Sequence, residues 1–359
     1  MTTVDISDLQ AAFGSPIERD FGFLPFRCYN ANLIVGGQGI RRGQFVEVFG
    51  AEGTGKSTIL YELLGIAAAQ GNIVVLCDQE GCADGKRLAK FGLTPGKNLV
   101  YIREPYLEAL FEKKSHVFSE IRKKHPGVPV IVGLDSLGIT LPYAHYSKFV
   151  EEKKTKTNID LTSNEQTAAN AKAWAKMLRF FFAHFHDMNI TTIVLNHKTQ
   201  MINTGPFGGG PKSTTPGGQT QKHMMFTRIE MIKVGKIENA AGQQIGNEVL
   251  IKTHKCKDAP PFQEARVPLY FGNPMLEPQD DFAGTYDCGA CFRHLKNLNA
   301  FKGSGWYTFE LFKSDGSPPE SFKFQGENGF RDIYNAHQQD VWYTMMRWHY
   351  AQTAWSLPS

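Results

Sequence analysis

Residues 50–57 read Gly50-Ala51-Glu52-Gly53-Thr54-Gly55-Lys56-Ser57, with Thr58 next. Three glycines in six places let backbone N–H groups turn inward around phosphate oxygens. Lys56 can reach outer phosphates, and the Ser57 hydroxyl can ligate magnesium. The pattern G-x-x-x-x-G-K-[ST] is matched in full. It follows an apolar strand-like run and precedes a helix-like one, which is the context the motif requires. The phosphate loop, residues 50–58, is therefore a nucleotide-binding expectation.

Such a loop needs carboxylates nearby. Ile131-Val-Gly-Leu-Asp135 ends in an acid suited to ordering magnesium, partly through water. A second run ends Leu76-Cys77-Asp78-Gln79-Glu80. Ligands of open α/β sheets bind beyond the carboxyl ends of the strands, so Glu80 is the candidate base for an attacking water, with Asp78 as rival.

These residues need a sheet to place them. Runs 45–49, 73–77, 130–134 and 191–195 are short, apolar and rich in β-branched residues, as buried parallel strands are. Helical patterns cover 57–69 and 165–187, the latter with Trp174, Leu178, Phe181 and Phe185 on one face. Strands alternating with helices predict an α/β fold with a mostly parallel central sheet. The 359 residues suggest about two domains. Composition turns aromatic and short-segmented after about residue 273 and ends in a helix-like 333–350, which predicts a small C-terminal domain.

The net charge of +4 is too small to imply nucleic-acid binding by itself. The N-terminus carries no secretory pattern, and no apolar run reaches the roughly 18 residues that span a bilayer. Six scattered cysteines suit a reducing, cytoplasmic setting. Cys288 and Cys291, with His294, have metal-ligand spacing but lack a second pair, and ordinary thiols are the simpler reading.

Two loops leave the expected active edge of the sheet. One, about 142–164, carries Tyr143, Tyr146, Lys148, Phe149, Lys153, Lys154 and Lys156. The other, about 198–222, is rich in glycine and proline and carries Lys198, Met201, Phe207, Lys212 and Lys222. Lysines neutralise phosphates while aromatic and apolar side chains stack on bases, so both loops suit single-stranded DNA without base reading. The plainer alternative is solvated loops with incidental lysines.

Several ordered motifs together resemble the RecA family of strand-exchange proteins, particularly phage recombinases of the UvsX type. The resemblance covers about residues 33–271. Gly43-Gln-Phe-Val-Glu-Val-Phe-Gly50 leads into the phosphate loop as in that family. Asp78-Gln-Glu80, Asp84, Arg87 and Leu88-Ala-Lys-Phe-Gly92 are similar to its segment of catalytic glutamate and adenine contacts, which implies Glu80 as base with Asp84 and Arg87 near the adenine. Leu195-Asn196-His197 resembles the γ-phosphate sensor, with histidine where RecA has glutamine. Lys255-Cys-Lys257-Asp-Ala-Pro-Pro-Phe262 looks like the run whose lysine pair completes a neighbour's site.

The resemblance implies a RecA-like P-loop ATPase core at 31–272 with two DNA loops, an N-terminal oligomerisation segment at 1–30 and a C-terminal α+β domain at 273–359. Phe21, Phe23 and Phe26 are the candidate docking residues of the arm, and Gly305-Trp306-Tyr307 carries the weaker C-terminal likeness. The implied activity is DNA-dependent ATP hydrolysis with Mg²⁺, helical filaments on single-stranded DNA, and pairing with homologous duplex in recombination and repair. Single-strand-binding and mediator proteins are implied partners, and no membrane is. A hexameric helicase motor and a non-catalytic mediator are the rivals.

Overall fold

The computed structural model describes residues 21–104, 106–137, 173–180, 188–201, 212–215, 218–272, 283–313 and 316–352. The chain enters through β1 (Phe23–Leu24), a short helix (Tyr29–Leu33) and β2 (Ile40–Arg41), with β1 and β2 paired antiparallel. The main strands follow as β3 (Phe45–Gly50), β4 (Ile73–Asp78), β5 (Val100–Ile102), β6 (Val130–Asp135) and β7 (Ile190–His197). Next come a small hairpin, β8 (Thr199–Met201) with β9 (Lys212–Thr214), then β10 (Thr227–Glu238), β11 (Gln244–Lys255), β12 (Glu264–Phe271) and β13 (Ala283–Thr285).

Nine of these form one sheet in the order β13-β12-β11-β10-β3-β7-β6-β4-β5. The run from β10 to β5 is parallel throughout, and β11, β12 and β13 extend it antiparallel. β3, β4, β6 and β7 are buried along nearly their whole lengths, which explains their unbroken apolar runs. The four expected strands are all present, and each extends slightly beyond its apolar run.

The helix Lys56–Ala69 follows β3 and is packed on more than one side. Gly133 of β6 leaves room for Leu60 and Leu64, since a Cβ there would sit 2.9 Å from Leu60. On another side Glu62 accepts from Thr285 N (2.6 Å) and Thr285 Oγ1 (2.7 Å). Ile59, Leu60, Leu63, Leu64 and Ala67 are essentially inaccessible. Each of the larger ones contributes about 1.5–3 kcal/mol of burial.

Three sequence expectations need revising here. Phe26 is 2% exposed in this chain's own core and the Phe21 ring lies against Gly43, so residues 21–30 belong to the body of the fold. The arm upstream of residue 21 lies outside the described residues. The main sheet continues to Thr285 through β13, so the expected boundary at 273 falls before its last strand. The terminal helix is two helices, Gly326–Ala336 and Gln338–Gln352, because His337 leaves helical geometry (φ −134°, ψ 35°) and packs on the Phe322 ring.

The C-terminal unit pairs those helices and Cys288–Asn297 with an antiparallel sheet of β14 (Phe301–Lys302), β15 (Trp306–Leu311) and β16 (Glu320–Gln325). Its core gathers Phe292, Phe301, Phe309, Phe324 and Phe330, with Tyr29 joining from the N-terminal side. Of the expected helix over 165–187, residues 173–180 are helical, with Trp174 and Leu178 buried; Phe181 and Phe185 lie outside the described residues.

Candidate nucleotide site

β3 runs straight into the glycine loop. A Cβ at Gly50 would meet Met231 O at 2.3 Å, so that glycine is required by close approach. Gly53 (φ 71°) and Gly55 (φ 87°) also hold left-handed backbone. Gly55 caps the helix Lys56–Ala69 with no side chain, which leaves the first-turn N–H groups available to an anion. Thr54 Oγ1 donates to Ala51 O (2.9 Å) and braces the loop. Lys56 Nζ donates to Gly50 O (3.2 Å) and Ala51 O (2.8 Å). Burial lowers the Lys56 pKa, while Asp135, Glu80 and Glu52 act to raise it.

Asp135 ends β6 directly beside Asp78 at the end of β4. Burial pushes the Asp135 carboxyl up to about 6; the Ser57 hydrogen bond opposes this, Glu80 and Asp78 add to it, and Lys56 opposes it. A buried acid next to two further carboxylates and a serine hydroxyl suits a divalent cation. Among the described residues no three His, Cys, Asp or Glu side chains gather into a metal cage. Ser57 and Asp135, joined by a hydrogen bond, are the side chains that would hold a magnesium ion carried on nucleotide phosphates.

Glu80 lies two residues beyond β4. Its Oε1 accepts from Ser136 Oγ (2.7 Å) and stands 3.0 Å from His197 Nε2, and Ser136 Oγ is 3.2 Å from the same ring nitrogen. The Asp135–Ser136 peptide bond is cis. Asp78 is differently employed. Its oxygens accept from Gly81 N (2.8 Å), Ala83 N (2.9 Å) and Tyr101 Oη (2.8 Å), so it shapes the turn that presents Glu80. The two acids therefore have different partners, Asp78 within its own turn and Glu80 at Ser136 and His197.

The structure turns Asn196 away from the expected phosphate contact. Its side chain is fully buried and donates to Glu47 Oε1 (2.8 Å). Strand alternation explains this, because consecutive residues on β7 face opposite sides and His197 takes the site side. Arg87 Nη2 bonds Thr58 Oγ1 (3.0 Å), and its guanidinium carbon lies 5.4 Å from the Tyr61 ring centroid, so it braces the phosphate-loop helix. Asp84 caps the helix Gly85–Ala89, accepting from Arg87 N.

Lys255 and Lys257 lie at the other end of the strands. Lys255 pairs with Arg228, which pairs with Glu47, three residues before Gly50. Lys257 Nζ sits over the Phe226 ring, and Phe226 N bonds Phe45 O, five residues before Gly50. At about 3.3 Å per residue, the pair lies roughly 10–16 Å back from the end of β3. Lys255 Nζ donates to Lys222 O (3.2 Å) and His223 O (2.7 Å), and burial lowers its pKa, with Lys257 and Arg228 adding.

Of the expected DNA-contacting residues, Tyr143, Tyr146, Lys148, Lys153, Lys154, Lys156 and Phe207 lie outside the described residues, as does Phe149. Lys198 is engaged by Glu230 (2.5 Å), so its charge is already paired. Met201 and Lys212 are register partners in the antiparallel β8–β9 pair. Lys222 lies on the helix Gly218–Met224, half-buried. The second loop is therefore tied at both ends by regular structure.

Cys288 and Cys291 are buried in the C-terminal unit, where burial raises the Cys288 thiol to about 11 and Cys291 well above its usual value. The Cys291 thiol is hydrogen-bonded to the Asp287 carboxylate.

Ser136, Glu47, Gln221, Arg228 and Tyr101 escaped the sequence reading. Glu47 was detectable, since a charged residue inside an apolar strand needs a buried partner. Ser136 had only its place after Asp135 to mark it.

A phosphate loop at the end of a parallel strand, with acids at the ends of β6 and β4 in the same sheet, defines a P-loop nucleotide-binding protein. Residues 18–276 match the RecA N-terminal domain, and the chain belongs to that family. It is similar to Protein RecA of Aquifex aeolicus, 27% identical over 77% of this chain and 71% of that one. Protein RecA of Thermus aquaticus is 28% identical over 72% and 69%, and that of Fusobacterium nucleatum 27% over 69% and 60%.

Proposed function

We propose that this chain is a DNA-dependent ATPase of homologous recombination and repair, assembling as a helical filament on single-stranded DNA and exchanging strands with homologous duplex. The carrying observation is the placement of Lys255 and Lys257 at the end of the sheet remote from their own phosphate loop. Cations so placed serve a neighbouring copy, so the active site is completed between subunits, much as by an arginine finger in trans.

In this reading Lys56 and the N–H groups of the loop hold ATP phosphates. Magnesium, when bound through Ser57 and Asp135, supplies positive charge to those oxygens. Glu80 accepts a proton from the attacking water, and Ser136 and His197 orient its carboxylate. Lys257, from the adjacent subunit, stabilises the developing charge. The 142–164 and 198–222 loops hold single-stranded DNA through phosphate charge and base stacking. The Lys255–Phe262 run favours a recombinase over a ring helicase, and the likeness of Gly305-Trp306-Tyr307 to phage UvsX-type recombinases is part of the same proposal.

Electron microscopy of the protein with single-stranded DNA and a slowly hydrolysed ATP analogue tests it. Extended helical filaments are expected, with ATP turnover stimulated by the DNA. Closed rings that unwind forks would replace the reading with a helicase motor, and filaments without stimulated turnover with a mediator.

A further inference from the structure

Arg41, Arg228, Lys255 and Lys257 stand together at the end of the sheet remote from the phosphate loop. Three of them are committed within the chain. Arg228 Nε donates to Glu47 Oε2 (2.5 Å), in a buried cluster where Asn196 and Gln221 donate to Glu47 Oε1. Lys255 Nζ lies on the carbonyls of Lys222 and His223. Arg41 grips the Asp258 carboxylate with Nε (2.9 and 3.1 Å) and Nη2 (2.7 Å). Of the four, only Lys257 is exposed.

Lys257 is nonetheless held. Its Nζ lies 5.3 Å from the centroid of the half-buried Phe226 ring. The Arg41 guanidinium carbon stands 5.9 Å from the same ring and 5.1 Å from that of Phe23. The chain on either side of Lys257 is also fixed. The Cys256 thiol reaches Val35 O (3.8 Å), and Asp258 packs so closely on Gly36 that a Cβ there would lie 3.1 Å from Asp258 O.

We propose that Phe226 and Arg41 are positioning residues for Lys257: the ring holds the ammonium, and Arg41, through Asp258, fixes the backbone beside it. A lysine stem has four carbons and loses much rotamer freedom when its head is placed. An aromatic face attracts the ammonium through its quadrupole and leaves the charge uncancelled. A carboxylate in the same place would neutralise it. Asp258 instead neutralises Arg41, which would otherwise repel Lys257 across the shared ring. The ammonium is thus fixed in place and still able to meet a phosphate oxygen. That the oxygen belongs to a neighbouring copy's nucleotide rests on the proposed function; the anchoring of Lys257 does not.

The test uses Phe226→Leu, which removes the ring and stays apolar, Phe226→Tyr, which keeps it, and Arg41→Gln, which acts through the other anchor, all in the full chain. Phe226→Leu should bind a fluorescent ATP analogue as wild type does, while its kcat on oligo-dT falls about fivefold, the rate equivalent of an exposed cation–ring contact. Phe226→Tyr should keep most of the wild-type rate, and Arg41→Gln should behave as Phe226→Leu does. Added Lys56→Ala, inactive by itself, should restore turnover per Phe226→Leu chain, because it offers a well-held Lys257 to that chain's intact phosphate loop. Reductive methylation with ¹³C-formaldehyde gives a second reading. The Lys257 dimethylamino signal, identified by its loss in Lys257→Ala, should be shifted by the ring current in wild type and Phe226→Tyr, and should move to the free-lysine position in Phe226→Leu and Arg41→Gln.

Wild-type kcat in both Phe226→Leu and Arg41→Gln overturns the proposal, as does a Lys257 signal that is unshifted in the wild type. So does a deficit in Phe226→Leu that Lys56→Ala leaves untouched while it rescues Lys257→Ala. Failure of Lys56→Ala to rescue Lys257→Ala, with the Phe226-dependent shift intact, overturns the shared site and leaves the anchoring standing.

Discussion

Glu80 and His197 meet beyond the ends of β4 and β7, Oε1 to Nε2 at 3.0 Å, although 117 residues separate them. Ser136 bridges them from the end of β6, and the three side chains form a closed triangle. A carboxylate so held has a fixed direction, which a base acting on one water molecule requires.

Glu80→Gln should keep nucleotide affinity and lose about 10²–10⁴ in turnover, since an amide cannot accept the proton. His197→Gln preserves a hydrogen-bond donor and should retain more turnover than His197→Leu. Fluorescent-nucleotide binding and single-turnover hydrolysis, measured on the same preparations, separate the two effects. Wild-type hydrolysis in Glu80→Gln would move the base elsewhere.

Mixing two inactive variants tests the shared site. Lys56→Ala lacks the phosphate-loop cation, and Lys257→Ala lacks the cation offered to a neighbour. Some mixed interfaces have both lysines intact, so ATPase activity should reappear on single-stranded DNA and peak near equal amounts. No recovery at any ratio, with co-assembly confirmed, would mean that one chain completes its own site.

Neutralising Lys153, Lys154 and Lys156 together should weaken single-strand binding on all sequences alike. The slope of log K against log salt should become shallower by about 0.7 for each phosphate that is no longer neutralised. Binding titrations between low and moderate salt read this directly, and an unchanged slope would place these lysines away from the DNA.

Asp287 supplies a pH test remote from the site. It is almost wholly buried and accepts from Tyr29 N (2.5 Å) and the Tyr334 hydroxyl. Burial raises its pKa above the ordinary 3.8, against the hydrogen bonds that lower it. A carboxyl raised in the folded state contributes stability that is fully present below the unfolded value and is lost as pH rises through the folded one. Asp287→Asn should therefore gain stability relative to wild type as pH climbs from about 4 toward 8. Denaturant unfolding at both pH values checks it, and a pH-independent difference would contradict it.

Much of the site was legible because its chemistry is local. The phosphate loop is eight consecutive residues, and Asp135 and Glu80 each follow an apolar strand. The antiparallel strands β12 and β13 were not legible. β12 alternates buried and exposed residues around Pro268, and β13 is only three residues long, so neither shows a distinct apolar run. The helix Leu107–Lys124 was not singled out in the sequence, although Leu110, Val117, Phe118 and Ile121 recur at helical spacing and pack on the core.

Asn196 and Lys198 show where local reading ends. Both flank His197 in a stretch resembling a phosphate sensor, yet one side chain is drawn to Glu47 and the other to Glu230. Burial makes an unpaired carboxylate so costly that the nearest donors are recruited to it, and nearness across strands is not written in chain order. The alternation of strands with helices, the mostly parallel sheet and the identity of the phosphate loop follow from the sequence alone, since they depend on periodicity and on contiguous residues. The different partners of Glu80 and Asp78, the Glu47 cluster and the remote placement of Lys255 and Lys257 were decided only in three dimensions, because each depends on which strands become neighbours and in what register.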